Sequence, residues 1–486
     1  MKIKFSIILI ITIVYTAISQ NGNPNDYLTP QFHKARREAL RKKMPKNSVA
    51  VFFGNPIHNR ANDVDFVYHQ DPNLYYLTGY KESNCVLLIF SDKQTDKFGK
   101  IYNEQLYIQE KNPKAEQWTG IRLGIEGAVK KLGFDNALNG KEFLKESVNF
   151  YSFDNVFFTE FKEDYRDLKN EEADIFKLVN SFKKQIGYST NLETNNTNSN
   201  GIVPKKAKID TKTLNTYMAS LREIKSDEEI QLLTKTIRIS AMGQREIMKA
   251  MHTGMSEAEI QGVHEFIYKK YGSEYEGYPS IVGAGNNGCV LHYSENSKIK
   301  VENELVLMDL GAEYHGYTAD LTRTIPANGK FSEEQKIIYD LVYEAQEKGI
   351  ESVRVGNVFT ASDQAARKVI TNGLLQLGII KKAEDSRKYF PHGTTHHIGL
   401  DVHDPGLFLT FEKNMVVTVE PGIYIPIGSN CDPKWWGIAV RIEDNILVTN
   451  GSPINLSEIA PRKSNKIEAL MSEKSVLNDF ILPEID

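Results

Sequence analysis

Five residues in the C-terminal half are of the types that bind metal ions: Asp309, Asp320, His396, Glu420 and Glu443. The four acids form two mirrored pairs. Asp309 and Asp320 lie in the apolar runs VLMDL and TADLTRT, on either side of a Tyr314-His315 centre with Gly311 and Gly316 close by. Folded as a hairpin, that spacing sets the two carboxylates roughly opposite each other. Glu420 ends the run MVVTVE and Glu443 lies in RIEDNILV. Between them, Pro426, Gly428, Pro433 and Gly437 mark a longer loop joining antiparallel strands. Like charges facing each other destabilise a sheet, and neighbouring carboxylates resist joint ionisation. Two such pairs in one domain make sense when cations sit between them.

The ligand types narrow the metal. Four carboxylates and one imidazole, with no cysteine, form a hard, oxygen-rich set. It favours Mn²⁺, with Co²⁺, Zn²⁺ or Fe²⁺ as competitors, over a thiolate-type structural zinc site. Carboxylates that bridge hold two divalent metal ions about 3.5 Å apart, an arrangement used to activate water for hydrolysis. Any one of these acids reads equally well as an ordinary strand-end residue. As a set they are harder to dismiss, because Asp and Glu are depleted in strands and here interrupt apolar runs in matched pairs.

Histidines cluster around the same stretch. The segment HGTTHHIGLDVHD, residues 392–404, holds four of the chain's eleven histidines, and His292 follows the glycine-rich turn of GAGNNGCVLHYSEN. Imidazole titrates near pH 6.5 and can carry protons as well as bind metal.

The motifs IVGAGNNGCVLHYSEN, VLMDLGAEYHGYTADLTRTIP, HGTTHHIGLDVHD, TVEPGIYI and GIAVRIEDNILVT occur in that order. Together they make the chain resemble the pita-bread metallopeptidases, and most closely the Xaa-Pro aminopeptidase (aminopeptidase P) family. REALRKKMPKNSVAVFFGN and VYHQDPNLYYLTGY look like that family's N-terminal domain, and LREIKSDEEI like the entry to its catalytic domain. The likeness runs from about residue 31 to 470.

By position, the resemblance implies that Asp309 binds one metal, that Asp320 and Glu443 bridge both, and that His396 and Glu420 complete the second. His292 and His403 match histidines that contact substrate and stabilise the tetrahedral intermediate. His392 matches one implicated in proton shuttling, and Glu420 is expected to take part in that proton transfer. Arg441 matches an arginine behind the ligands, and strand alternation puts it on the same face as Glu443. His397 departs from the pattern, since a relative carries an aromatic residue there. Neighbours on an extended segment point opposite ways, so only one of His396 and His397 faces the metals, and the motif spacing selects His396. The expected substrates are peptides with proline second, and the expected assembly is a homo-oligomer, dimer or tetramer. Two other readings remain. A prolidase that splits X-Pro dipeptides needs a basic residue to grip the free carboxylate. A catalytically inactive pita-bread binding module usually loses metal ligands, whereas all five are present here.

Around this site the chain is ordinary. Its 486 residues are 41% hydrophobic and 25% charged, enough for two or three domains with substantial cores. A net charge of −4 offers no support for nucleic-acid binding. Cys85, Cys289 and Cys431 are widely spaced and suggest no disulfide framework. Trp435 and Trp436, in the loop between the two glutamate strands, could form part of a substrate wall. Residues 1–19 read as a signal peptide: Lys2 and Lys4 precede the apolar run FSIILIITIVYTAI, which ends at Ala17-Ile18-Ser19. The run is too short for a comfortable membrane span. Export to a periplasmic or extracellular location follows, with mature protein starting near Gln20.

The elements that must position the site divide into two domains, 31–205 and 211–475. In the first, QFHKARREALRKKM reads as a basic amphipathic helix, and SVAVFFGN, SNCVLLIFS and EQLYIQE as strands, with helices near 121–132 and 164–185. That alternation predicts an α/β fold. The Asn-rich segment 189–201 predicts a surface loop. In the second, Ser226 with Glu229 and Ser332 with Gln335 are capping-box signals. Further helices are expected near 256–271 and 362–377. Periodicity gives α+β for this domain; the pita-bread (creatinase/aminopeptidase-like) form comes from the resemblance.

Overall fold

The basic run near the start folds as helix Pro30–Lys43. Thr29 caps it through the Phe32 N–H, Pro30 fills a first-turn position that lacks a hydrogen-bond partner anyway, and Arg41, Lys42 and Lys43 end it against the negative pole of the helix. Its inner face buries Phe32, His33, Arg37 and Leu40, and the Arg37 guanidinium is paired with Glu104 at 2.8 Å. The computed structural model describes residues 25–188, apart from 147, 163 and 170, and residues 207–479. The expected signal peptide and the Asn-rich segment lie outside the described residues.

The apolar run SVAVFF becomes strand Ser48–Phe53, buried along nearly its whole length, at the centre of a six-stranded sheet. Ser48–Phe53, Val86–Thr95 and Ile101–Ile108 pair antiparallel. Ala137–Asn139, Asn155–Phe157 and Lys208–Asp210 join in parallel. The sheet is therefore mixed, and its last strand lies just beyond residue 205. The helix expected near 164–185 begins only at Ile175, where Asp174 caps it by accepting the Lys177 N–H. Helix Pro72–Thr78, capped by Asp71, was not expected from the sequence.

Both capping boxes form, on helices Asp227–Ala250 and Glu333–Glu351. With Glu257–Lys270 and Ala361–Gln376 they flank short antiparallel strands. Leu305–Asp309 lies between Ile281–Ala284 and Thr322–Pro326. The hairpin between Asp309 and Asp320 turns at His315 (φ 52°) and Gly316 (φ 84°), one residue beyond the expected Tyr314-His315 centre, so Asp309 faces Thr322 and not Asp320. Two successive positive φ values are what a tight two-residue hairpin turn requires. A side chain at Gly316 would also press on Tyr75, whose ring lies 2.9 Å from where a Cβ would stand. The glutamate hairpin is longer than its loop residues suggest. Val416–Val419 pairs with Asp444–Leu447, and beyond a break at Glu420 the chain resumes as Gly422–Ile425 against Ile438–Arg441.

The first domain packs on the second through its aromatic-rich stretch. Tyr75 Oη donates to the His315 carbonyl (3.0 Å), Tyr76 Oη to the Leu221 carbonyl (2.9 Å), and His69 meets Glu313 at 3.0 Å. Among the described residues no helix is long and apolar enough to cross a membrane.

Candidate metal centre

Strand register delivers the acids. Asp309 is the last residue of its strand and faces Thr322, which places Asp320 just past the end of the partner strand. In the second hairpin Val419 faces Asp444, so Glu420 and Glu443 extend from the same end of that ladder. His396 arrives from the 392–404 segment, which lies alongside: its N–H donates to Thr418 Oγ1, and it accepts the Thr418 N–H on its carbonyl. All five converge on one cavity of about 610 Å³, together with His292, His392, His403 and Arg441.

Asp320, His396 and Glu443 each bring a ligand atom within 4.8 Å of the other two. His396 Nε2 lies 3.5 Å from Asp320 Oδ2 and 3.4 Å from Glu420 Oε1. Glu443 Oε2 accepts the Thr322 hydroxyl at 2.7 Å. Its other oxygen, Oε1, is buried with no hydrogen-bond partner among the described residues. A buried, unpaired carboxylate oxygen is costly, and a divalent cation is the partner this donor set would accept.

The electrostatics point the same way. Burial and the charges of neighbouring acids push Asp320 and Glu443 well above the ordinary carboxylate range. Burial, then Glu443, push Glu420 up to about 8. Asp309 moves the other way: burial alone would raise it, but the Arg441 guanidinium, 2.5 Å from Oδ2, and the Tyr278 hydroxyl hold it below its usual value. Tyr278 Oη lies 2.6 Å from Oδ1 of both Asp309 and Asp320. One O–H can donate to only one of them at a time. Three of four clustered carboxylates resist ionisation without a cation, and one is held ionised by an arginine. The set fits divalent metal ions.

Around these five residues stand three further histidines. His392 Nε2 meets Tyr424 Oη at 2.8 Å, and its Nδ1 lies 2.7 Å from the Gly393 carbonyl and 3.7 Å from Glu420 Oε2. Burial pushes its pKa down to about 4, so the ring is neutral near pH 7. The His403 ring stands edge-on to His396, centroids 4.4 Å apart. His292 is exposed at the cavity wall, on a segment held by buried Glu257, whose carboxylate accepts from Ala284 N, Asn287, Tyr293 and Lys298 N. The His397 ring packs against Phe359 and Phe408, with Glu223 Oε2 3.9 Å from its Nε2.

Three hydroxyl residues at the site were not singled out from the sequence: Tyr278, Thr322 and Tyr424. Tyr278 precedes a buried strand that pairs with the Asp309 strand, and that position is the one signal that could have marked it. The tryptophans do not form the substrate wall. Trp435 is buried, the Trp436 indole donates to the Ser429 carbonyl, and neither is among the residues lining the cavity. All three cysteines are free.

Comparison with known proteins agrees with this geometry. A profile described as "Metallopeptidase family M24" matches residues 231–450, and one described as "Aminopeptidase P, N-terminal domain" matches residues 33–153. The Xaa-Pro aminopeptidase of Escherichia coli K12 is 33% identical over 457 residues, covering 91% of this chain and 98% of that protein. The structure of E. coli aminopeptidase P with the inhibitor Pro-Leu superposes with a TM-score of 0.80 at 32% identity, covering 92% of this chain and 98% of that one. Pseudomonas aeruginosa aminopeptidase PepP gives a TM-score of 0.79 at 30% identity, covering 92% and 99%.

Proposed function

The chain belongs to the M24 metallopeptidases of the aminopeptidase P type, and we propose that it is a metal-dependent Xaa-Pro aminopeptidase, releasing the first residue from peptides with proline second. The observation that carries the proposal is the convergence of Asp320, His396 and Glu443, with Asp309 and Glu420 beside them, on one cavity. Asp309, Asp320, His396, Glu420 and Glu443 would hold two divalent ions, Mn²⁺ being the best match to a hard oxygen-rich set. When bound, the ions supply a nucleophile at neutral pH and polarise the scissile carbonyl. The chain's own groups do the rest. His403 and His292 present imidazole N–H donors to the developing oxyanion. Glu420 receives a proton, and His392, fixed by Tyr424 and the Gly393 carbonyl, stands 3.7 Å from it on the path toward the departing proline nitrogen.

The prolidase alternative finds little support. Arg441 is the one arginine lining the cavity among the described residues. Its N–H groups are already directed at Asp309, Tyr424, Thr322 and the Leu291 carbonyl. It is poorly placed to capture a free carboxylate. Incubation with Mn²⁺ and an X-Pro-X tripeptide, beside the matching X-Pro dipeptide, separates the two. Chelator-sensitive release of the first residue from the tripeptide is expected. Cleavage of the dipeptide alone would make the protein a prolidase.

We also propose that the protein is exported, on the strength of Lys2, Lys4, the apolar run behind them and the small residues at 17 and 19. Amino-terminal sequencing of protein from its native host should start near Gln20; a start at Met1 would refute export by cleavage.

A further inference from the structure

The turn that carries His403 is held by charges far away in sequence. Arg222 ends helix Thr213–Arg222 with its side chain buried. Its NH2 donates to Asp401 Oδ2 at 2.7 Å and also to Asp404 Oδ1. Lys225 Nζ donates to the other oxygen of Asp404 at 2.8 Å and to the Arg222 carbonyl at 2.6 Å. Asp404 closes the turn on itself: Oδ1 accepts the Asp401 N–H at 3.2 Å, and the Asp404 N–H donates to the His397 carbonyl at 2.9 Å. Both ends of the segment Asp401-Val402-His403-Asp404 are thus pinned by one guanidinium. That guanidinium also reaches across the domain seam, where NH1 donates to Asn73 Oδ1 at 2.8 Å.

Two cations and two carboxylates form one hydrogen-bonded cluster here. Burying it is costly, and comparable apolar packing would hold the domains together as well or better. What apolar packing does not provide is direction. A planar fork bonded to both flanks of a four-residue turn fixes its backbone, and with it the Cα–Cβ vector of His403.

We propose that Arg222 is a positioning residue for His403, setting the imidazole against the reacting carbonyl by clamping Asp401 and Asp404 and anchoring that clamp to Asn73 of the N-terminal domain. The proposal rests on the reading of His403 as a substrate-contacting group. It gives the LREIK segment a role in turnover, and it lets the seam between the domains influence the site.

The test uses the full-length mature enzyme loaded with Mn²⁺ and an X-Pro-X tripeptide. Asp401→Asn and Arg222→Lys are each expected to lower kcat about tenfold, less than the roughly hundredfold that a 1 Å misplacement can cost, with KM and metal content near wild type. Asn73→Ala should act in the same direction, more weakly. Placed in a His403→Ala background, the same substitutions should cost less than about twofold further, because coupled groups are not additive. Equal fold losses in both backgrounds, or unchanged kcat in Asp401→Asn and Arg222→Lys, would overturn the proposal. So would a fall in bound metal, since the turn would then be acting through His396. Asp401 is partly exposed, so its variant decides the matter even if substitutions at Arg222 prevent folding. If His403→Ala alone keeps full kcat, the reading of His403 has failed and the proposal falls with it, recognisably at that first step.

Discussion

Glu443→Gln is expected to strip the protein of metal and of activity together, lowering kcat/KM by well over a hundredfold. Glu443 is buried, its Oε2 is held by Thr322, and its Oε1 has no partner among the described residues, so that oxygen is left to a cation. An amide of the same shape keeps the Thr322 hydrogen bond and loses the charge. Substitutions of groups that merely orient metal ligands typically cost about 10- to 100-fold, and a shared ligand should cost more. Metal analysis by mass spectrometry beside tripeptide kinetics checks both halves. Full activity with full metal content in Glu443→Gln would remove Glu443 from the ligand set.

Chelation should have the second large effect, on stability, and its size should depend on pH. In the metal-free protein Glu420 titrates near 8, and Asp320 and Glu443 are also raised, first by burial and then by neighbouring carboxylates. Unfolded, all three titrate near 4. Between those values these three carboxyl groups bind more protons in the folded, metal-free protein than in the unfolded chain, so their own contribution to its stability falls as pH rises from about 4 toward 8. Asp309, held low by Arg441, contributes no such slope in this range. The loaded protein behaves differently, because metal ions require the deprotonated ligands and bind more tightly as pH rises. The melting temperatures of loaded and stripped protein should therefore diverge between about pH 5.5 and 8. Metal at roughly a thousand times its dissociation constant adds about 4 kcal/mol, or roughly 8 °C or more for a domain of this size. Parallel curves across that range would mean that these carboxylates do not hold the metal.

Much of the site was legible in the sequence because its signals are local. Acids that interrupt strand runs stand out against the apolar residues on either side, and a two-residue turn between Asp309 and Asp320 fixes where they meet. The helices of the second domain were equally legible, since Ser226 with Glu229 and Ser332 with Gln335 announce their starts within four residues. What escaped was built from contacts between distant segments. Tyr278 reaches Asp309 and Asp320 from 31 and 42 residues away, and Arg222 reaches Asp404 from 182. No periodicity records such a meeting. The late start of helix Ile175–Ile186 and the unforeseen helix Pro72–Thr78 have a simpler cause. Each is set by one capping aspartate, Asp174 or Asp71, which polar sequence around it disguises.

We propose that these five side chains hold a pair of divalent ions. Anomalous diffraction from crystals of the Mn²⁺-loaded protein tests it most directly. Two anomalous peaks about 3.5 Å apart are expected, both in contact with Asp320 and Glu443, with Asp309 on one and His396 and Glu420 on the other. A single peak, or metal bound away from Glu443, would contradict it.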